Sequence, residues 1–179
     1  MQVHSGGPEV RQAADVPVRR RIPPYRDRLL LTVVPLVLAL DQLSKYLVRS
    51  SLDLGDSWPD RGFFRLTHGT NSGSAFGLFP NQTLLLIVAS MVAIGFLYYF
   101  YRTQAMPRPL LRLAIGLQLG GALGNLTDRL RAGTVVDFLD VGPWPIFNLA
   151  DSSIVVGMAL LIGLLAFSKG DGRSPDEDR

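Results

Sequence analysis

The stretch GGALGNLTDR, Gly120–Arg129, decides how this chain can fold. It closes an apolar segment that begins at Leu110, so the carboxylate of Asp128 comes at the end of a segment long enough to cross a membrane. An ionisable residue in such a segment is costly and usually functional. The pattern NLTD (residues 125–128) returns as NLAD (residues 148–151) at the start of the next apolar segment. Two carboxylates, Asp128 and Asp151, are therefore expected at one level of a membrane.

The composition favours a small polytopic membrane protein over a soluble domain. The 179 residues are 47% hydrophobic and only 18% charged, and the mean hydropathy is +0.23. The absence of cysteine excludes disulfides, thiolate nucleophiles and cysteine metal sites, and His4 and His68 are too few for a histidine-rich metal centre. We therefore expect no metal and no other cofactor. Although the pI is 9.6, the basic residues flank the apolar segments, so we interpret them as topology signals and expect no nucleic acid partner.

Four apolar segments are predicted to form transmembrane helices, because each has about the 20 residues that a crossing needs. The predicted fold class is an all-α polytopic membrane protein with four transmembrane helices and a small β-containing platform outside the cytoplasm. The predicted helices cover about residues 29–48, 83–101, 110–130 and 149–167, within a membrane domain at 29–167.

The two ends of the chain are predicted to be cytoplasmic tails. Residues 1–28 are rich in Arg and Pro and cannot bury a core, so we expect disorder there, and residues 168–179 form a charged tail. Lys and Arg are concentrated in these tails and after the second segment, which places both termini in the cytoplasm. A cleaved signal peptide is the alternative for the first segment, but no small-x-small site follows Leu40.

The loop from Ser50 to Gln82 is long and contains several aromatic residues. Within it, residues 62–67 (GFFRLT) are predicted to form a short strand of the outer platform.

This topology brings the ionisable residues of the segments together near the outer face. The third helix runs outward and ends near Asp128, and the fourth runs inward from Asp151, so the two carboxylates converge. Asp41 and Lys45 lie one turn apart on the first helix, and we expect a structural ion pair between them. The alternatives are that Lys45 tunes the acids or contacts a lipid headgroup, and that the acids themselves form structural pairs with Lys45 or Arg129.

Small and polar residues surround the two acids. Gly116, Gly120 and Gly124 form a stripe that lets neighbouring helices approach closely. Asn125 and Asn148 each lie three residues before an Asp, where they could orient its carboxylate or crosslink helices.

Two further polar residues have roles that spacing alone does not decide. Asn71 belongs to a sharp turn that either only reverses the chain or holds substrate backbone, and Asp137 could cap or brace the outer loop.

Two carboxylates in a partly dry site tend to share one proton. One can then act as general base on a water while the other polarises a carbonyl, which is what hydrolysis of an amide requires. A serine–lysine protease with Lys45 as base and Ser72 or Ser74 as nucleophile is the nearest enzymatic alternative. A small proton-coupled transporter or an assembly factor is the alternative from another class of protein.

Five ordered motifs together resemble the lipoprotein signal peptidase family, the type II signal peptidases of bacteria. The resemblance covers about residues 29–167, and Ser44 stands where the family often has Thr. The motifs are DQLSK (41–45), NSGSAF (71–76), GGALGNLTDR (120–129), VVDF (135–138) and FNLAD (147–151).

The resemblance implies an aspartic endopeptidase of the cell membrane, which cuts the signal peptide from a prolipoprotein just before its diacylglyceryl-modified cysteine. It also implies lipid-modified prolipoproteins and membrane lipids as partners, a site near the outer face and no cofactor, and we expect a monomer. By motif, Asp128 and Asp151 match the catalytic pair. Positions that match site-lining or supporting residues are Asn71, Gly121, Asn125, Arg129, Asn148 and Ala150, and motif residues with structural or supporting roles are Asp41, Lys45 and Asp137.

Overall fold

The computed structural model describes residues 23–73, 82–103 and 109–167. These residues form four α-helices, a three-stranded antiparallel sheet and one short 3-10 turn, Pro24–Arg26. The helices are α1 (Arg28–Ser51), α2 (Thr83–Thr103), α3 (Pro109–Ala132) and α4 (Leu149–Phe167), and the strands are β1 (Ser57–Trp58), β2 (Arg65–Asn71) and β3 (Val135–Asp140). Each predicted helix is present, with ends that differ from the prediction by less than one turn.

Three of the helices, α1, α2 and α4, are long and apolar enough to cross a membrane. Helix α3 differs because its sequence contains polar and charged residues along much of its length. It lies in the middle of the bundle and contacts α1, α2 and α4. Gln118, Asn125 and Asp128 are consequently buried between helices rather than exposed on the outside of the bundle.

The glycines of α3 allow its neighbours to approach its backbone, as the sequence predicted. On one side α1 lies on the stripe, where a Cβ added at Gly120 would come within 2.7 Å of Val37 Cβ. On the other side Gly121 faces the carbonyl oxygen of Ala150 in α4, too close for any side chain. Gly157 of α4 completes this contact, since an added Cβ would lie 2.6 Å from the Ala114 carbonyl oxygen. The α3–α4 interface therefore has almost no room for larger residues.

The sheet lies at one end of the bundle, which we call the sheet end. Its strand order is β1-β2-β3, and β2 pairs with β3 so that Gly69 lies opposite Asp137 and Asn71 opposite Val135. The predicted small β-containing element is present as this sheet, but its predicted strand begins at Arg65 instead of Gly62, and β3 was not predicted. Strand β3 follows α3 after a turn at Gly133, whose φ of +74° favours glycine, so the sheet is tied directly to the central helix.

The opposite end of the bundle is fastened by Asp27. Its carboxylate accepts the Leu30 amide as the cap of α1 (3.2 Å), the Tyr101 hydroxyl of α2 (2.7 Å) and Arg112 Nη1 of α3 (3.1 Å). Residues 23–28 therefore belong to the folded body, which places the end of the predicted tail earlier than residue 28. The rest of that tail and residues 168–179 lie outside the described residues.

The close α3–α4 contact predicts different responses to one substitution at two glycines. Gly121→Ala should lower the thermal unfolding temperature of the purified protein in detergent, because overpacking costs about 1–3 kcal/mol. Gly163→Ala is the matched control, since an added Cβ there meets open space and alanine favours the helix by about 1 kcal/mol. Equal melting temperatures for the two variants would contradict this account of the interface.

Candidate active site

A cavity of about 1070 Å³ opens at the sheet end, between β2, β3 and the facing parts of α3 and α4. Its lining includes both polar and apolar side chains, so the cavity suits a ligand that has both characters. The polar residues of the lining include Asn71, Asn125, Arg129, Asp137 and Asp151, and the apolar residues include Trp144, Ile146, Ile154, Val155 and Val156.

Asp151 lies in the first turn of α4 and is held by a reciprocal cap. Its backbone N–H donates to Asn148 Oδ1 (2.9 Å), and the backbone N–H of Asn148 donates to Asp151 Oδ2 (3.3 Å). Asn125 of α3 donates its Nδ2 to Asp151 Oδ1 at 2.7 Å. The helix start also favours a negative charge at this position. The side chain is therefore oriented as a carboxylate that accepts hydrogen bonds on both oxygens.

Asp137 lies on β3, and its side chain is only 5% exposed. Asn148 Nδ2 donates to its Oδ1 at 2.6 Å, and Asn71 Nδ2 donates to its Oδ2 at 3.1 Å. Burial, together with the negative charge of Asp151, raises the pKa of Asp137 to about 6. Asp137 therefore holds a proton in a pH range where an ordinary aspartate has lost it.

Asn148 joins the two carboxylates, because its side-chain amide donates to Asp137 and its backbone amide donates to Asp151. Its orientation is determined, since Oδ1 must accept the Asp151 N–H and Nδ2 is left to donate. Asn71 is fixed in the same way, because its Oδ1 accepts the Gly73 N–H at 2.9 Å. For Asn148 the structure favours orientation of a carboxylate, one of the two alternatives that the sequence leaves open. Asn71 also donates to a carboxylate, a role that is not among the alternatives for its turn. Asn125 donates to Asp151 and not to Asp128, the acid that follows it by three residues.

Asp128 has different surroundings from the other two acids. It is 3% exposed, and its Oδ2 lies 2.8 Å from Lys45 Nζ, which lies equally close to Asp41 Oδ2. Gln42 Nε2 donates to its other oxygen at 3.0 Å. Asp128 is absent from the residues that line the cavity. The predicted Asp41–Lys45 ion pair is confirmed. Asp128 also pairs with Lys45, which was the structural alternative for this acid.

Of the two acids that the sequence paired, Asp151 lines the cavity and Asp128 does not. Asp137, predicted to be a supporting residue, lines the cavity as well. The prediction from helix ends does not include strand β3, which follows α3 and brings Asp137 to Asn148 at the start of α4.

The remaining predicted residues fall into two groups. Asn71, Asn125 and Arg129 line the cavity, and the half-buried Arg129 has no carboxylate within 4 Å of its guanidinium nitrogens among the described residues. Gly121 and Ala150 instead pack α3 against α4 behind the site.

The serine–lysine alternative is not assembled in the described part of the chain. Ser72 lines the cavity, but the Lys45 ammonium is fully buried between two carboxylates and does not reach that surface. Ser74 lies outside the described residues. Sequence reasoning also missed Gln42, whose amide contacts Asp41, Asp128 and the Gly124 carbonyl oxygen. Its position next to Asp41 in the DQLSK motif was the available signal.

A cavity lined by carboxylates and apolar side chains, at the end of a bundle with three membrane-capable helices, suits an amphipathic substrate. The model of the signal peptidase II family matches residues 33–167, so the chain belongs to this family.

Curated relatives and solved structures agree with this membership. The lipoprotein signal peptidase of Moorella thermoacetica is 48% identical over 147 residues, which cover 81% of this chain and 98% of that protein. The lipoprotein signal peptidase of Halothermothrix orenii is 48% identical over 132 residues, covering 73% and 90% of the two chains. A bacterial membrane enzyme solved by the in meso method at 2.3 Å resolution superposes with a TM-score of 0.76 at 31% identity, covering 81% of this chain and 92% of that one.

The raised pKa of Asp137 predicts how stability depends on pH. Because the folded pKa of about 6 exceeds the ordinary value of 3.8, the folded state binds the extra proton, and this contribution to stability is lost as the pH rises through 6. The difference corresponds to about 3 kcal/mol. Asp137→Asn should therefore flatten the change of melting temperature between pH 4.5 and 7. Asp60→Asn removes an exposed carboxylate and should keep the wild-type dependence; if Asp137→Asn keeps it too, the assignment of the proton to Asp137 fails.

Proposed function

We propose that this protein is a membrane endopeptidase that removes the signal peptide from lipid-modified prolipoproteins, using a water activated between Asp137 and Asp151. The observation that carries the proposal is the shared contact of these two acids with Asn148 at a cavity that is also lined by apolar side chains. The curated relatives named lipoprotein signal peptidase support this substrate class.

The chemistry requires one acid with a proton and one without. The raised pKa of Asp137 favours it as the acid, and the helix start and the Asn125 amide favour Asp151 as the base. Asp151 takes a proton from water as the oxygen attacks the scissile carbonyl carbon, while the Asp137 hydroxyl donates to the carbonyl oxygen. When the tetrahedral diol collapses, the C–N bond breaks, the leaving amine takes the proton held by Asp151, and a diol hydroxyl returns a proton to Asp137. Because water is the nucleophile, no covalent enzyme intermediate forms.

Asp137 replaces Asp128 in this proposal for a physical reason. Asp128 contacts Lys45 and Gln42 and is not among the residues that line the cavity, whereas Asp137 is. A base or acid must lie within hydrogen-bond reach of the group it serves, directly or through one water. We therefore give Asp128 a supporting role.

The polar and apolar residues of the cavity lining suit the two parts of a lipidated peptide. Val155 and Val156 line the cavity and are exposed on α4, where acyl chains would stay in the bilayer. Asn71 and Arg129 offer hydrogen-bond donors to the extended backbone.

For the membrane arrangement we propose four crossings, with α3 as the fourth span, and a monomeric enzyme. Both termini face the cytoplasm and the sheet end lies at the outer face. The basis is the distribution of Lys and Arg in the sequence and the burial of the polar residues of α3 among the other helices. The tails 1–28 and 168–179 remain predictions from composition.

This topology predicts which positions a membrane-impermeant maleimide reaches in intact cells. The chain has no cysteine, so single cysteines can be introduced without a background. Leu54→Cys, between α1 and β1, should be labelled directly, and Thr103→Cys, at the exposed end of α2, only after permeabilisation. The reversed pattern would invert the proposed orientation.

The proposed pair predicts a ranking of three variants. Cleavage of a diacylglyceryl-modified prolipoprotein peptide by purified enzyme should fall by roughly 10²–10⁴-fold in Asp137→Asn and in Asp151→Asn, because a lost acid or base costs that much. Asp128→Asn should retain measurable turnover per folded molecule and should unfold at a lower temperature.

Two results would decide against the pair. Near-normal turnover by Asp137→Asn beside an inactive, stable Asp128→Asn would return the role to Asp128. An inactive wild type that supports Asp151-dependent ion flux in proteoliposomes would favour the transporter instead.

A further inference from the structure

The side chain of Lys45 is fully buried in α1 and close to three oxygens from two helices. Its Nζ lies 2.8 Å from Asp41 Oδ2, 2.8 Å from Asp128 Oδ2 and 3.0 Å from Asn125 Oδ1. The first two contacts neutralise a buried charge, which a structural ion pair would also do. The third contact connects the ammonium to the candidate active site.

This third contact fixes the orientation of the Asn125 amide. An ammonium has only donors, so it requires the Oδ1 of Asn125 on its side. The Asn148 Nδ2, at 3.2 Å from the same Oδ1, imposes the same orientation. Nδ2 of Asn125 is then directed to Asp151 Oδ1 at 2.7 Å. In the opposite orientation, an NH₂ group would face the ammonium and Asp151 would lose a donor.

The cluster around Lys45 reaches Asp151 by a second route. Asp41 Oδ1 accepts the backbone N–H of Ala150 at 3.0 Å, one residue before Asp151 in the first turn of α4. Asp41 thus holds Lys45 with one oxygen and the start of α4 with the other. Helix α1 contributes no residue to the cavity lining, yet it restrains the side chain and the backbone at Asp151.

We infer that Lys45 is a positioning residue for Asp151 that acts through Asn125, and that Asp41 and Asp128 hold its ammonium in place. This inference rests on the proposed function, because it assigns the base role to Asp151. It gives the DQLSK segment a part in turnover, beyond the structural ion pair that its spacing predicts.

The excess negative charge of the cluster explains why Gln42 is needed. Two carboxylates share one ammonium, and a buried charge without sufficient partners is strongly destabilising. Gln42 Nε2 donates to Asp41 Oδ2 (3.2 Å) and to Asp128 Oδ1 (3.0 Å), so it stabilises both carboxylates at once.

The test is a double-mutant cycle on turnover of a lipidated prolipoprotein peptide, with Lys45→Met and Asn125→Leu. Lys45→Met should lower kcat on the order of 100-fold, since a small misplacement of a reacting group has that effect, while KM changes less than about threefold. In the Asn125→Leu background, the effect of Lys45→Met on kcat should shrink to the small part that is transmitted through Asp41 and the start of α4. Effects that multiply would overturn the inference, because they would show that Lys45 acts independently of Asn125.

Lys45→Met alone leaves two buried carboxylates without their cation, so the cycle is also run in an Asp128→Asn background. There the Lys45→Met cluster has the same net charge as the wild-type cluster, and the same non-additivity with Asn125→Leu is expected. An unchanged kcat per folded molecule after Lys45→Met, with only a lower melting temperature, would show a purely structural role and overturn the inference.

Asp27→Asn provides the matched control, because Asp27 is an equally buried ion-paired carboxylate at the opposite end of the bundle. It should lower the melting temperature and leave kcat per folded molecule within about twofold of wild type. A loss of kcat equal to that of Lys45→Met would mean that any destabilisation reduces turnover, and the inference would fail. A wild type that does not cleave the peptide would instead refute the proposed function.

Discussion

The burial of polar residues on α3 is the constraint on which the rest of the structure depends. A helix that contains Gln118, Asn125 and Asp128 cannot expose these side chains to lipid without a large cost. It must be surrounded by other helices, and its glycines let α1 and α4 come close enough to do so. The polar residues then have hydrogen-bond partners on neighbouring helices, so the same helix packing also assembles the site. Helix α2, which buries only Tyr101, is fastened to this core at its end through Asp27.

The side-chain amides of three asparagines donate hydrogen bonds to the two acids that line the cavity, Asp137 and Asp151. Asn71, Asn125 and Asn148 each have Oδ1 occupied by a donor, and each directs Nδ2 to Asp137 or Asp151. The hydrogen bonds from Asn71 and Asn148 lower the pKa of Asp137, but its burial and the negative charge of Asp151 outweigh them and raise it to about 6. The two acids therefore have different environments although they share Asn148.

The sequence predicted the helices, the ion pair of Asp41 and Lys45 and the position of Asp151 at the start of α4, because each depends on a local pattern. Apolar segments of about 20 residues, an i to i+4 spacing and the NLAD motif are visible without knowledge of distant contacts. The position of Asp137 depends instead on strand β3, which is six residues long and pairs with β2, more than sixty positions earlier in the chain. Pairing at that separation leaves no periodic signal in β3 itself, since its residues are nearly all buried. The VVDF motif identifies Asp137 in the sequence, but it does not indicate which residues Asp137 contacts.

The placement of the two acids on different kinds of element has a mechanical consequence. Asp151 is attached to the start of a helix whose first turn is held by Asn148 and Asp41, and Asp137 is attached to a strand that follows the central helix after a two-residue turn. Relative motion of α3 and α4 would change the distance between the acids, and the Gly121–Ala150 contact restricts that motion at the nearest point. A glycine with no functional group thus contributes to the geometry of the pair as directly as the asparagines do. Glycine is required at this position because the backbones of α3 and α4 are so close. A motif that contains glycines and an acid can therefore indicate either helix packing or a catalytic site.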